Sequence, residues 1–338
     1  MSRIGPRIRF ATTASVVALV SFACTAGGAA SPVASGPVET PSPRTSAPAL
    51  ATAPGPTIAA SQLGSGPGVA VLADGQGSAK ELWILTAAGI WQDAGGVPGA
   101  TALSRAGSGL AIASGHSVDV RAAGDPSHTG TVTALKWPGQ APSAPIVDLD
   151  ATGPAIAFVT ADETSVAYAT AGADGTVTPV TPAPVQPFTP LVAWLDASRL
   201  LVLTTDQELI SRLAVLDVRG HSLEAWRSLA GVREFAVSGD RQTVAMATGA
   251  AIFVSPASSI GSTAQPESVA TLGEAQVVWA LALDSAGSEM FMLSGTVAAD
   301  GTVGSVREIG YSRHGSTWVR VVDEAVPFDH AAAQICLS

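Results

Sequence analysis

Asp148 and Asp150, in Ile146-Val147-Asp148-Leu149-Asp150, are the two acids whose spacing best suits chemistry in this sequence. On an extended strand alternate side chains share a face, so both carboxylates are expected on one side. With further oxygen ligands such a pair could bind Ca²⁺, although acids beside a turn are more often simply solvated. Asp162-Glu163 and Asp323-Glu324 are adjacent acids in turn-like positions. His116, His128, His221, His314 and His330 show no zinc-ligand spacing, and no Cys-x-x-Cys occurs. Gly-x-Ser-x-Gly, His-Glu-x-x-His, Gly-x-Gly-x-x-Gly and a phosphate-loop Gly-Lys-Thr/Ser are all absent from the chain. No catalytic residue, cofactor or metal site is therefore assigned, and an enzyme would need acids, histidines and arginines converging from distant segments.

Cys24 is the other reactive side chain with a telling context. Arg3, Arg7 and Arg9 precede an uncharged apolar run from Ala11 to Ala23, the layout of a secretory signal and too short to span a bilayer comfortably. Cys24 closes that run in Val20-Ser21-Phe22-Ala23-Cys24-Thr25, which resembles the lipobox of bacterial lipoproteins. The resemblance implies acylation of the Cys24 sulfur after cleavage, with Ala23 matching the family pattern and Ser21 standing where Leu is usual. Stable anchoring needs more than one acyl chain. Simple secretion, with cleavage after Gly28-Ala29-Ala30, is the competing reading.

Residues 1–23 thus read as a lipoprotein signal peptide, 24–67 as a tether and 68–338 as a folded domain. The tether is rich in Pro, Ser, Thr and Ala with almost no charge, so ordering it would cost backbone entropy without apolar burial in return. At about 3 Å per residue it could reach on the order of 100 Å. The whole chain carries a formal charge of −10, and without the three leader arginines 14 basic face 27 acidic residues, or −13. Phosphate backbones and anionic headgroups repel such a body, which argues against nucleic-acid binding.

Beyond residue 67 the chain becomes short apolar runs separated by Gly, Asp, Ser and Pro, among them GVAVLA, ELWILT, RLLVLTT, AIFVS and TWVRVV. These are strand signals, and no helical period of comparable length competes with them. The runs also repeat. An apolar strand, a tight turn and a second apolar strand recur with turn leaders Ser104, Asp150, Asp196, Asp240 and Asp284, at spacings of 46, 46, 44 and 44. A period in the forties with four strands per unit is that of a β-propeller blade. The acid or hydroxyl at each leader is expected to accept a backbone N–H two residues on and so fix the hairpin.

An all-β, six-bladed β-propeller follows, with five or seven blades as the alternatives. Gly68 to Asp93 supplies three strands, and the small-residue run Phe328 to Leu337 is left over at the far end. That run is expected to join the first blade as its inner strand, removing an exposed edge and burying the Cys336 thiol. The seven tryptophans, at 83, 91, 137, 194, 226, 279 and 318, recur about once per blade and suit packing wedges between sheets. Gly124 to Gly130, Pro179 to Pro190 and Ser294 to Gly304 are loops in which a binding surface could vary.

The Leu-Asp-Ala turn followed by an Ala/Val/Leu strand, and the phrase Leu191-Val192-Ala193-Trp194-Leu195-Asp196, resemble the WD40-like and TolB-like propellers of bacterial envelope lipoproteins, notably the propeller portion of actinobacterial LpqB-type lipoproteins. The resemblance spans about residues 68 to 338 and implies fold and an envelope location, not an activity. The expected role is a monomeric, membrane-anchored platform that docks an envelope protein or glycan, with a hydrolase or lyase working in the central channel as the alternative.

Overall fold

The computed structural model describes residues 69–338 apart from 75–79, 87–88, 108, 115, 123–126, 140–145, 162–165, 181–189, 206–209, 221, 227, 301–303, 305 and 338, and for 161 and 329–337 it describes the backbone alone. The signal segment, Cys24, the tether, Asp162-Glu163, and the side chains of His330 and Cys336 lie outside the described residues.

Among the described residues, twenty-four strands form six four-stranded antiparallel sheets. Blade one contains β1 (Val69–Asp74), β2 (Lys80–Leu85) and β3 (Trp91–Val97). Blade two contains β4 (Ala102–Ala106), β5 (Gly109–Ser114), β6 (Ser117–Arg121) and β7 (Thr131–Ala134). Blade three contains β8 (Ile146–Asp150), β9 (Ile156–Ala161), β10 (Val166–Ala171) and β11 (Val177–Val180). Blade four contains β12 (Val192–Trp194), β13 (Arg199–Thr205), β14 (Ser211–Asp217) and β15 (Leu223–Ala225). Blade five contains β16 (Val232–Val237), β17 (Thr243–Thr248), β18 (Ala251–Pro256) and β19 (Glu267–Thr271). Blade six contains β20 (Gln276–Leu283), β21 (Glu289–Thr296), β22 (Arg307–His314) and β23 (Thr317–Ala325). The last strand, β24 (Asp329–Leu337), pairs antiparallel with β1, placing Cys336 opposite Ala70 and Ile335 opposite Val71.

Burial explains why these sequences take these places. The second strand of each blade is buried on both faces, as in β5 (GLAIAS), β13 (RLLVLTT) and β17 (TVAMAT), so it reads as a continuous apolar run. The outer strands β7 (TVTA), β15 (LEA) and β19 (ESVAT) are largely exposed and polar. Apolar clusters fill each of the six seams between neighbouring blades. A blade therefore hides its faces only by stacking against its neighbours.

The tryptophans are distributed differently from the expected one per blade. Blades one, four and six carry two each, blade two carries Trp137, and the described parts of blades three and five carry none. Several still bridge seams. Trp137 packs edge-on against Phe158 with ring centroids 5.4 Å apart, Trp194 Nε1 donates to the Ala155 carbonyl at 2.8 Å, and Trp226 Nε1 donates to the Ser262 carbonyl at 2.8 Å. Gly153 is needed for the Trp194 contact, because a Cβ there would sit 2.0 Å from the indole Cδ1.

Candidate functional site

The inner strands β4, β8, β12, β16 and β20 line a central cavity of about 370 Å³. Four of the five expected turn leaders fix their own hairpins. Asp150 Oδ1 accepts the Thr152 N–H at 2.8 Å, Asp196 Oδ1 that of Ser198 at 2.8 Å, and Asp240 Oδ1 that of Gln242 at 2.9 Å. Asp284 Oδ1 closes a wider loop, accepting from Ser288 at 2.7 Å and Glu289 at 2.9 Å. Ser104 differs: it lies inside β4, and its hydroxyl accepts the Ala151 N–H of the next blade at 3.4 Å instead of an N–H of its own hairpin.

Asp148 and Asp150 do more than share a strand. Asp148 Oδ2 accepts the Val192 N–H at 2.6 Å and Asp150 Oδ2 accepts the Trp194 N–H at 2.8 Å. Two carboxyls two residues apart on β8 thus bind two amides two residues apart on β12, stitching blade three to blade four at the channel. Among the described residues no three His, Cys, Asp or Glu side chains gather in a way that could hold a metal ion. Asp323, from the second acid pair considered in the sequence, lies on the outer strand β23 and pairs with Arg307 and Arg320.

Two arginines cross the end of the channel where the inner strands run out. Arg105, 7% exposed, reaches from blade two to donate its Nη1 to Ser285 Oγ at 2.9 Å. Gly239 leaves it room, since a Cβ there would lie 2.2 Å from Nη1. Arg241, in the left-handed region at φ 58, donates from blade five to the Thr152 carbonyl of blade three. Backbone bonds from Gly239 and Asp240 to the Asp284 and Ser285 carbonyls complete this rim.

Further up the channel stands Glu234 of β16, with Trp279 of β20 on the wall. Burial pushes Asp148 up to about 8 against the Val192 hydrogen bond, which favours the charged form, and the charge of Asp150 adds to the rise. Burial raises Glu234 well above the usual carboxylate range, and the charge of Asp148 raises it further. The Tyr168 hydroxyl, donating to the Leu203 carbonyl at 3.3 Å, is raised by burial first and by Asp148 second.

Glu234, Arg105 and Trp279 were not singled out for the channel by sequence reasoning, although Trp279 was counted among the packing tryptophans. Val232-Arg233-Glu234-Phe235-Ala236-Val237 reads as an ordinary alternating strand. The available signal was a long acid on an inner strand, where small residues are expected near the axis.

No protein-family model matches the chain, and no curated protein matches its sequence. Solved structures do match its fold. A TolB-type protein of Agrobacterium tumefaciens superposes with a TM-score of 0.52 at 14% identity, over 78% of this chain and 91% of the other. TolB of Acinetobacter baumannii superposes with a TM-score of 0.55 at 10% identity, over 80% of this chain and 67% of the other. A looser likeness, TM-score 0.45 at 13% identity over 78% and 96% of the two chains, is to the periplasmic gluconolactonase of Pseudomonas aeruginosa and carries no functional argument. At these identities the likeness is one of fold alone: the chain is a six-bladed β-propeller that resembles the TolB propellers in its architecture.

Proposed function

We propose that this propeller is a non-enzymatic docking platform, exported and held at the outer face of the cytoplasmic membrane through an acylated Cys24, with β24 fastening the ring by its pairing to β1. Its partner is an envelope protein or a glycan. The observation that carries the reading is the use of the polar groups in the channel. Asp148 and Asp150 bind the β12 amides, and Arg105 and Arg241 bind across the rim, so these groups serve to hold the ring together. A propeller serving as a scaffold leaves its loops and outer strands to recognise a partner. The alternative is a propeller hydrolase or lyase, lactonase-like or glycan-processing, and Asp148 supports it as a carboxyl that could donate a proton at neutral pH.

Affinity purification from crosslinked membranes tests the platform. The full chain is expected to recover one stoichiometric protein or glycan partner from the envelope, and a Cys24→Ser variant is expected to leave the membrane fraction and lose that partner. Recovery of no stoichiometric partner by the anchored protein sinks the docking role, and unchanged membrane retention and mass of Cys24→Ser sinks the anchor.

A further inference from the structure

Glu308 of β22 differs from every other described acid in its burial and its bonding. It is 1% exposed and faces the seam between blades six and one. Gly310, on the same side of the strand, abuts Phe291 and Val322 of the apolar cluster that fills this seam. From blade one, the Trp91 indole N–H donates to Glu308 Oε2 at 3.2 Å. Oε1 is the one enclosed carboxyl oxygen without a hydrogen-bond partner among the described residues. Burying a polar group with an unmet lone pair is unfavourable, and burying a charge there is far more so.

The charged groups around Glu308 do not relieve that cost. Glu324 lies opposite it on β23 and Leu293 opposite it on β21. On blade one, Glu81 and Asp93 share the seam-facing side of Trp83, and Asp93 accepts the Gly95 N–H at 2.7 Å. Arg307 projects from the other side of β22, where it binds Asp323. The crossing segment Val326-Pro327-Phe328 carries no charge. A proton removes the charge from Glu308 and gives it a donor, so the closed seam favours the neutral form. Burial first, then Glu324, pushes it up to about 7 against the Trp91 hydrogen bond. This is also the seam at which the chain closes on itself: blade one is built from β24 and β1 to β3, and Phe328, leading into β24, packs against both Trp83 and Trp91. Trp83 Nε1 is enclosed there without an acceptor.

The geometry points to a proton-operated joint between blades six and one, shut while Glu308 is neutral and loosened, with water reaching Glu308, Trp91 and Phe328, when it is charged. This goes beyond the docking role and does not rest on it. In the loosened seam the carboxyl is hydrated and titrates in the usual range. Opening therefore becomes easier as pH rises from about 4.5 to about 7, and changes no further above that.

Hydrogen exchange of the tryptophan indoles in the full-length protein tests the joint, followed by NMR with signals assigned through single Trp→Phe replacements. Trp91 reports this seam, whereas Trp194 and Trp226, bonded to the Ala155 and Ser262 carbonyls, report the two seams of blade four. After correction for the exchange of free indole, protection of Trp91 is expected to fall about tenfold or more between pH 5 and pH 8. At pH 8 it should be about tenfold or more below that of Trp194 and Trp226, the mark of an opening short of global unfolding. Glu308→Gln is expected to abolish the fall and leave Trp91 protected at pH 8. Protection of Trp91 that holds across this range, or that equals the other two at pH 8, overturns the joint, as does a fall that persists in a folded Glu308→Gln protein. Should that variant fail to fold, the two wild-type comparisons decide. None of these readouts depends on a macromolecular partner, so failure here leaves the docking role standing.

Discussion

Glu308 in β22 is 1% exposed, with Oε2 accepting the Trp91 indole N–H at 3.2 Å across the seam between blades six and one and Oε1 lacking a partner. Leu293 and Glu324 flank it on the neighbouring strands, and burial first, then the charge of Glu324, pushes it up to about 7 against the Trp91 hydrogen bond. The folded state therefore keeps a proton that the unfolded chain releases from about pH 4.5 upward. Its contribution is least unfavourable below that pH, worsens as pH rises through about 7, and is constant above. Glu308→Gln keeps shape and acceptor while removing the charge. The variant is expected to match wild type at pH 4 and to exceed it at pH 8 by roughly 1–3 kcal/mol in urea unfolding. An equal difference at both pH values would show that Glu308 does not titrate in this window. Sequence offered no sign of this residue: period-two reading turns Glu308 outward, but the third strand of blade six is covered on both faces.

At the scale of the strand, the turn aspartates and their spacing were legible, because an acid capping its own hairpin is a local event, repeated in four of the six blades. The stitching of β8 to β12 was not, since the amides of Val192 and Trp194 lie forty-four residues from Asp148 and Asp150. The left-over run at the C-terminus pointed to β24, whose small residues could sit near the axis. Without it the edge of β1, whose residues Val69 to Ala73 are buried, would be unpaired. A chain ending at Phe328 is expected to aggregate or to melt roughly 5–10 °C below the full chain, the order of shift that about 2–3 kcal/mol gives in a domain of this size. A synthetic peptide of residues 329–337 should restore part of the loss. Unchanged melting of the shortened chain would show that β24 does not fasten the ring.

For the whole molecule, stability is a property of the ring. Each seam has its own apolar cluster, so no blade keeps its core once a neighbour departs. Trp83 and Trp91 flank Phe328 beside the β24 pairing, at 5.6 and 5.0 Å between ring centroids, while Trp137, Trp194 and Trp226 mark seams on the other side. Tryptophan fluorescence and far-ultraviolet circular dichroism are therefore expected to follow one coincident urea transition. Separate midpoints would mean that blades unfold independently. The period of the turns made this architecture legible, whereas the charged interior of the channel depended on which residues of distant strands meet at the axis.

Arg105 and Arg241 each skip a blade, the first joining blade two to blade six and the second blade five to blade three. Braces of this kind act across the ring rather than along it, so loosening one blade is felt by another that it does not touch.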